Sequence, residues 1–377
     1  MNELQVELDR QLSRFLEKNM EPHLEKDEAN CHFRMETYQG LGELGVTGIP
    51  VSSDFGGAEL GYLDLCYVLK NIAKTNVSYS VTLSVSTMVQ GILEDFGTKD
   101  QKEKFLPKLT SGEGIGAFAL TEAGAGSDAA NLQTSATKKD GGYVLNGNKM
   151  FITSGGIAET YIVMARTGKE GAKGISAFIV PKDAKGLQFG KSEDKMGWKI
   201  SPTRELIFDK CFVPEENLLG AEGEGFKIAL RALDRGRITI GSIALGVSER
   251  ALEEAIHFSM ERKQFSQSLM DFQGLQFMFS DMATEFAASE LLVLEAAKRF
   301  DSGNIDTMLA SMAKLKATDV AMKLTTDCLQ IFGGVGYTTE YPMERLMRDA
   351  KVLQIVEGTN QIQKVVIARL LKKKYRS

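Results

Sequence analysis

Apolar residues recur at helical spacing along the first third of the chain, in LSRFLEKNM, CHFRMETYQGLGELG, DLCYVLKNIAKT and QKEKFLPKL. Glycine-rich breaks such as SSDFGGAELGY separate these runs, and the pattern predicts a helical domain over residues 1–114. Over residues 115–220 the period shortens toward two. GGYVLNGNKMFIT sets strand-forming residues on both sides of Asn146-Gly147, a pair favoured in two-residue hairpin turns. ETYIVMART, ISAFIVPK, GLQFGK and RELIFDKCFVP continue as short β-rich runs, so a small antiparallel β-domain, barrel or sandwich, is expected here. Helical spacing returns over residues 221–377. FKIALRALDRGRITIGSIALGVSERALEEAIHFSMERK is one long segment without proline, followed by MDFQGLQFMFSDMATEFAASELLVLEAAKRF, IDTMLASMAKLKATDVAMKLTTDCLQIF and two shorter helices. These predict a four-helix bundle, with Ser302-Gly303-Asn304 as a connection suited to an antiparallel helix pair. The fold class expected is α+β and mostly α.

Composition changes this picture little. A chain of 377 residues exceeds one small core, and 43% hydrophobic with 25% charged residues is ordinary for a soluble globular protein. A net charge of −5 provides no drive toward nucleic acid or anionic lipid, so neither is an expected partner. The N-terminal MNELQVELDRQLSRFLEKN lacks the apolar core of a signal peptide, and no apolar run approaches the roughly 18 residues of a membrane span. The basic C-terminal LLKKKYRS reads as a solvated helix end. Cys31, Cys66, Cys211 and Cys328 lie far apart, and His23, His32 and His257 have no ligand spacing. Neither a disulfide framework nor a metal site is expected, and the chain reads as cytoplasmic.

GAGSDA (residues 124–129) fits the loose dinucleotide pattern G-x-G-x-x-A after the apolar run IGAFAL. That motif needs a helix whose N-terminus faces a pyrophosphate. Here NLQTSATKKDGGYVL follows, with no helical apolar stripe and no acidic residue at the end of a second strand, so the dinucleotide reading fails. Two readings stay open: a plain strand connection, or a loop whose accessible N–H groups and side chains of Thr121, Ser127 and Asp128 cradle a ligand.

EYPMERLMRDAKVLQIVEGTNQIQ predicts a helix after Pro342 that breaks at Gly358. Leu346, Ala350, Leu353 and Glu357 are spaced by four, three and four, which puts Glu357 on an otherwise apolar helix face. Thr359 or Asn360 then caps a last helix with Ile362, Val365, Val366 and Leu370 as its buried stripe. The carboxylate is either hydrated at an unwound helix end or buried. In the second case desolvation makes it a stronger base toward a carbon acid.

Several long segments in register carry a resemblance: AFALTEAGAGSD, NGNKMFITSGG, DKMGWKISPTRELIFDKCFVP, RKQFSQSLMDFQGLQF and QIFGGVGYTTEYPMERLMRDAKVLQIVEGTNQIQ. Together they resemble the acyl-CoA dehydrogenase family over essentially the whole chain, with the nearest likeness to short- and medium-chain, butyryl-CoA-type bacterial members. The resemblance implies an N-terminal helical domain, a central β-domain and a C-terminal four-helix bundle, with FAD as cofactor and a homotetramer built from pairs of dimers. By the same likeness Phe118, Leu120, Thr121, Gly126, Ser127, Phe151, Ile152 and Thr153 line the flavin. Arg262, Phe265, Gln273, Gln330, Gly333 and Gly334 hold FAD across a dimer interface, and Thr359 and Gln361 meet it at a helix start. Ser127, Asp234, Arg237 and Gly358 match acyl-CoA contacts, although Arg237 taken alone reads as a surface or salt-bridged helix arginine.

The implied chemistry is α,β-dehydrogenation of an acyl-CoA thioester to the trans-2-enoyl-CoA. Glu357 removes the α-proton, the β-hydrogen leaves as hydride to the flavin, and electrons pass to electron-transfer flavoprotein. The Glu357 backbone N–H and a ribityl hydroxyl are implied to stabilise enolate charge on the thioester oxygen. Isovaleryl- and long-chain-type relatives carry their base at the position of Gly236, which cannot serve, so the resemblance leaves Glu357. Ala123 stands where relatives often have proline, and Ser86 where many have histidine near the acyl pocket. Two rival readings accompany this one: a dehydrogenase of acyl chains on acyl carrier protein, and a DNA-protective relative, which the charge of −5 disfavours.

Overall fold

A computed structural model describes residues 3–168 and 171–376. The chain packs as two compact units. The first runs from the start of the described chain to Gly61 and takes in Val81–Lys195 and Lys199–Gly236. The second comprises Tyr62–Ser80, Met196–Trp198 and the chain from Arg237 onward.

The helices up to the sheet are α1 (Glu3–Asn19), α2 (Leu24–Asn30), α3 (Met35–Glu43), α4 (Tyr62–Thr75), α5 (Val77–Phe96) and α6 (Lys99–Thr110). The periodicity reading named no element over residues 77–96. Its sequence VSYSVTLSVSTMVQGILEDF has no polar face, because the helix is buried along almost its whole length, and an amphipathic signal needs a solvated side. Its polar groups find partners inside: in the first unit Gln90 Nε2 donates to the carbonyls of Thr47 and Leu109, at 2.9 and 3.2 Å.

The sheet of the first unit contains β1 (Gly116–Ala119), β2 (Ser135–Lys139), β3 (Gly142–Thr153), β4 (Thr160–Arg166), β5 (Ile175–Pro181), β6 (Leu187–Ser192), β7 (Thr203–Pro214) and β8 (Leu218–Leu219). Its strands follow an open path, β6-β7-β3-β2-β4-β5-β8, with β1 paired to β4. The path does not close into a barrel. Nor is it wholly antiparallel, because β1 and β2 both run parallel to β4. β4 and β5 are buried in all but their last residue, which explains the apolar runs Tyr161–Ala165 and Ala177–Val180 within them.

The expected hairpin at Asn146-Gly147 is corrected. Lys139 faces Gly142 across the β2–β3 ladder, so the two-residue turn is Asp140-Gly141, with Gly141 at φ 77°. Asn146 and Gly147 lie within β3, where the register against β7 shifts. Gly147 has φ 136°, and a Cβ there would sit 2.8 Å from Thr134 Cα. The pair therefore marks a bulge, a second use of the same permissive residues.

Lys149 of β3 is fully buried, and its Nζ donates to the Leu120 carbonyl at 3.0 Å and to Glu122 Oε1 at 2.7 Å. Glu122 also accepts from the backbone N–H groups of Gln133 and Thr134, at 2.6 and 2.9 Å. The loop between β1 and β2 is thereby held at both ends to β3. Burial pulls the Lys149 pKa down to about 8, against the opposing charge of Glu122.

The second unit is helical. α7 (Gly225–Glu261) enters it at Arg237, and α8 (Gln273–Asp301), α9 (Thr307–Phe332), α10 (Met343–Leu353) and α11 (Asn360–Lys374) follow, with a small hairpin of β9 (Lys263–Gln264) and β10 (Gln267–Ser268) before α8. α9 packs against α8, α10 and α11, and α4 packs against α8. Lys70 of α4 reaches Glu249 and Glu290, at 3.0 and 2.8 Å. Trp198 of the short 196–198 segment is pinned to α10: Asp349 Oδ1 accepts its backbone N–H at 2.7 Å, and the Asp349 carbonyl accepts the indole Nε1–H at 3.2 Å. Trp198 itself has φ 53°, a left-handed conformation that this buried anchor maintains. No helix among the described residues is long and apolar enough to cross a membrane.

Two stability tests follow from these buried anchors. Lys149→Met leaves Glu122 without its counter-charge and is expected to lower unfolding free energy by about 3–5 kcal/mol in urea denaturation, with Glu122→Gln added to the same chain recovering part of it. Asp349→Ala strips the acceptor from the Trp198 N–H, and a loss of about 1–3 kcal/mol is expected. A midpoint within error of the parent in either case would mean that the anchor is dispensable.

Candidate active site

α10 ends at Leu353, four residues before Glu357. Leu346, Ala350 and Leu353 form its buried stripe as expected, but Glu357 is not on that helix face. The chain makes one further turn, with Val356 N–H bonded to the Val352 carbonyl at 3.1 Å, and then enters the left-handed region at Glu357 (φ 53°) and Gly358 (φ 85°). The helical repeat therefore pointed to the right neighbourhood for the wrong reason: a left-handed pair, not a helix face, turns the side chain inward.

Glu357 as a residue keeps some exposure, yet its Oε2 is buried and has no hydrogen-bond partner among the described residues. Burial pushes its pKa up to about 7, against the positive charges of Arg237 and Lys314, which favour ionisation. Arg237 is itself buried, on the part of α7 that belongs to this unit. A carboxyl group poised near neutrality and free of hydrogen bonds can take a proton from a bound carbon acid.

α11 begins on the other side of the turn. Thr359 caps it, its hydroxyl accepting the Ile362 N–H at 3.3 Å, while Gln361 is exposed on the first turn. The expected buried stripe differs: Val366 is buried, Ile362 and Leu370 are half-buried and Val365 is exposed. Asn360 and Gln363, both polar, take the buried places. They do so because they bind the turn, Gln363 Nε2 donating to the carbonyls of Glu357 and Gly358 at 3.0 and 2.8 Å.

Elsewhere in the second unit, Arg262, Phe265 and Gln273 lie exposed around the β9–β10 hairpin, and Gln330, Gly333 and Gly334 lie exposed where α9 ends. Phe265 is 89% exposed with φ 50°. Backbone strain of this kind clusters at functional sites.

In the first unit the segment after β1 contains no α-helix, which agrees with the rejected dinucleotide reading. Thr121 follows β1, and its carbonyl accepts the Met150 N–H at 2.8 Å, which brings it beside β3. There Ile152 is buried, Thr153 half-buried, and Phe151 60% exposed with φ 57°. Phe118 is half-buried on β1 and Leu120 buried after it, while Gly126 and Ser127 are exposed. A Cβ built on Gly124 or Gly126 meets nothing within 4 Å, so there is room beside the loop at both positions. An open glycine loop tied beside an exposed phenyl ring suits a flat, polar-edged cofactor. Asp234 is buried on the first-unit part of α7.

Periodicity missed the supporting polar residues: Lys314, Asn360 and Gln363 around the turn, Lys149 and Glu122 around the loop. One signal existed for Lys314. It sits in the run Ala310, Ala313, Ala317, Ala321, a buried helical stripe in which a lysine is out of place.

Family models match along nearly the whole chain: "Acyl-CoA dehydrogenase, N-terminal domain" over residues 2–113, "middle domain" over 117–211 and "C-terminal domain" over 223–372. Among curated relatives, mitochondrial isobutyryl-CoA dehydrogenase of Dictyostelium discoideum is 44% identical over 95% of this chain and 87% of its own. The solved structure of butyryl-CoA dehydrogenase from Megasphaera elsdenii superposes with a TM-score of 0.96 at 42% identity, covering 98% of both chains. A chain from the structural study "Electron transferring flavoprotein of Acidaminococcus fermentans: Towards a mechanism of flavin-based electron bifurcation" also gives 0.96, at 45% identity and 98% coverage of both. With three domain models in order and relatives far above the identity at which family is in question, the chain belongs to the acyl-CoA dehydrogenase family.

Proposed function

We propose that Glu357 is the base of an acyl-CoA dehydrogenase acting on short acyl thioesters, converting them to trans-2-enoyl-CoA. The observation that carries this reading is the buried Glu357 carboxylate, without a hydrogen bond at Oε2, on a left-handed turn facing the charges of Arg237 and Lys314. A thioester α-proton is weakly acidic, so its removal needs a desolvated base and stabilisation of the enolate charge that develops. Desolvation of Glu357 supplies the first, and the Glu357 backbone N–H is assigned to the thioester carbonyl for the second. FAD, when bound, supplies the acceptor for the β-hydrogen, which departs as hydride.

The remaining residues bind and orient. Phe118, Leu120, Thr121, Gly126, Ser127, Phe151, Ile152 and Thr153 are proposed to hold FAD, with Thr359 and Gln361 meeting it at the start of α11. Arg262, Phe265, Gln273, Gln330, Gly333 and Gly334 are assigned to the flavin of a second copy of the chain. Ser127, Asp234, Arg237 and Gly358 are assigned to acyl-CoA, for which the family likeness is the support. A homotetramer belongs to the same reading, and exposed Phe265, Phe277, Leu291 and Val365 leave apolar surface for it to cover. The printed names of the relatives, butyryl- and isobutyryl-CoA dehydrogenase, support a four-carbon acyl chain, straight or branched. The Acidaminococcus structure supports electron-transfer flavoprotein as acceptor. A cytoplasmic location completes the reading, and four free cysteines, three of them buried, suit a reducing compartment.

Anaerobic mixing with butyryl-CoA and isobutyryl-CoA is expected to bleach the flavin of the parent protein. Glu357→Gln is expected to remain folded and yellow, with bleaching slowed by at least about 10³-fold, since no group of suitable basicity replaces the carboxylate. Bleaching by that variant at the parental rate would remove Glu357 from the chemistry. In the parent, the rate should climb as pH rises through about 7 and level off above it, because the ionised carboxylate is the active form and Glu357 loses its proton there. A rate that falls over the same interval would contradict a carboxylate base.

A further inference from the structure

A left-handed glutamate is not held by its own preferences. For residues other than glycine this backbone region is disfavoured, and a strained turn persists only where its surroundings fix it. Around Glu357 that fixing comes from side chains on three elements of one unit. Lys314, on the buried face of α9, donates from Nζ to the Gly358 carbonyl at 3.1 Å and to Asn360 Oδ1 at 2.8 Å. Asn360 Nδ2 donates in turn to Asp319 Oδ1 at 2.7 Å and Thr318 Oγ1 at 2.9 Å, again on α9. Gln354, at the end of α10, donates to the same Asp319 oxygen at 2.7 Å, and its carbonyl accepts the Asn360 N–H at 2.9 Å. Gln363 closes the ring from α11.

Lys314 is the only cation in this ring, and it is 0% exposed. A lysine is almost never buried to this degree without a task, since a leucine or methionine would fill the same stripe at lower free energy. We propose that Lys314 is a positioning residue for Glu357: it ties the Gly358 carbonyl and Asn360 to α9, fixes the Glu357–Gly358 turn in one conformation, and places a positive charge beside the carboxylate. This rests on Glu357 being the base. The charges that face Lys314 are Glu357 and Asp319, which favour its ammonium form, and Arg237, which opposes it, while burial pulls its pKa down to about 7. Lys314 and Glu357 each favour the other's ionised state.

Two variants separate tether from charge. Lys314→Met keeps the volume but removes both, and Lys314→Gln keeps a donor for the Gly358 carbonyl while removing the charge. In the FAD-loaded enzyme Lys314→Met is expected to bleach with butyryl-CoA about tenfold or more slowly even at the high-pH plateau, as displacement of a reacting group does. Its pH limb is expected to move upward by about one unit, because Glu357 loses a neighbour that lowers its pKa. Lys314→Gln is expected to show the same upward shift with more of the plateau rate retained. A second readout needs no turnover: the Glu357 carboxyl carbon, followed by NMR in glutamate-labelled protein and identified by its loss in Glu357→Gln, should titrate at higher pH in both variants. Should Lys314→Met not fold, Lys314→Gln and the carboxyl titration carry the test. Parental plateau rate and parental limb in Lys314→Met, or an unmoved carboxyl titration in Lys314→Gln, would overturn the assignment. Those outcomes alongside a Glu357→Gln enzyme that cannot bleach would overturn Lys314 alone. Normal bleaching by Glu357→Gln would instead overturn the base on which the inference stands.

Discussion

Removing a carboxylate from water is among the most expensive things a fold does with one side chain, and the second unit is arranged around that expense. The carboxylate of Glu357 has to be dry enough to be basic yet not hydrogen-bonded into inertness. Oε2 has no hydrogen-bond partner among the described residues, so its environment is set by burial and by the charges of Arg237 and Lys314. Everything that keeps this arrangement reproducible is attached to the backbone instead. The carbonyls on either side of the Glu357–Gly358 peptide are bonded, the side chain between them is not. Rigidity in the main chain and freedom at the carboxylate are thus separated in space, as the proposed role of a base that repeatedly gains and loses a proton requires.

The first unit handles the loop after β1 by the same division. The glycine-rich segment after β1 contains residues that leave its backbone open, and would by itself sample many conformations. A buried ion pair, Lys149 with Glu122, fixes its beginning and its end and leaves the middle free. Ionic pairs buried this deeply often add little net stability over an apolar replacement, and this one ties both ends of the loop to β3.

How much of this the sequence disclosed depended on which signal each residue emits. Long amphipathic helices such as α8 and α9 announce themselves by period, and the β-rich texture of the middle region was equally legible. α5 was silent because a helix buried all round has no polar stripe to report. Asn146-Gly147 misled because residues that permit a tight turn also permit a bulge, and Asp140-Gly141 a few positions earlier met the same requirement. At Glu357 the heptad-like spacing was continued past the helix end, since nothing local announces that α10 stops at Leu353. The family itself was legible only through long motifs in register, and the flavin and base assignments proposed above rest on them. Lys314 and Asn360 stayed hidden because their partners lie more than forty residues away in the chain, and pattern reading along one segment sees no such partner.

The discontinuity of the two units bears on how the chain is made. α4 buries Leu65, Leu69 and Ile72, yet the helix it packs against, α8, begins only at Gln273. A ribosome adding about 5–20 residues per second leaves that apolar face without its partner for roughly ten to forty seconds. The segment Met196–Trp198 waits in the same way for Asp349. Neither unit can close before the chain has passed the point at which the other begins, so an unfinished chain presents sticky helices to the cell during most of its synthesis. Closure of each unit is thus delayed until segments distant in the chain have been made, even though the finished units are well buried.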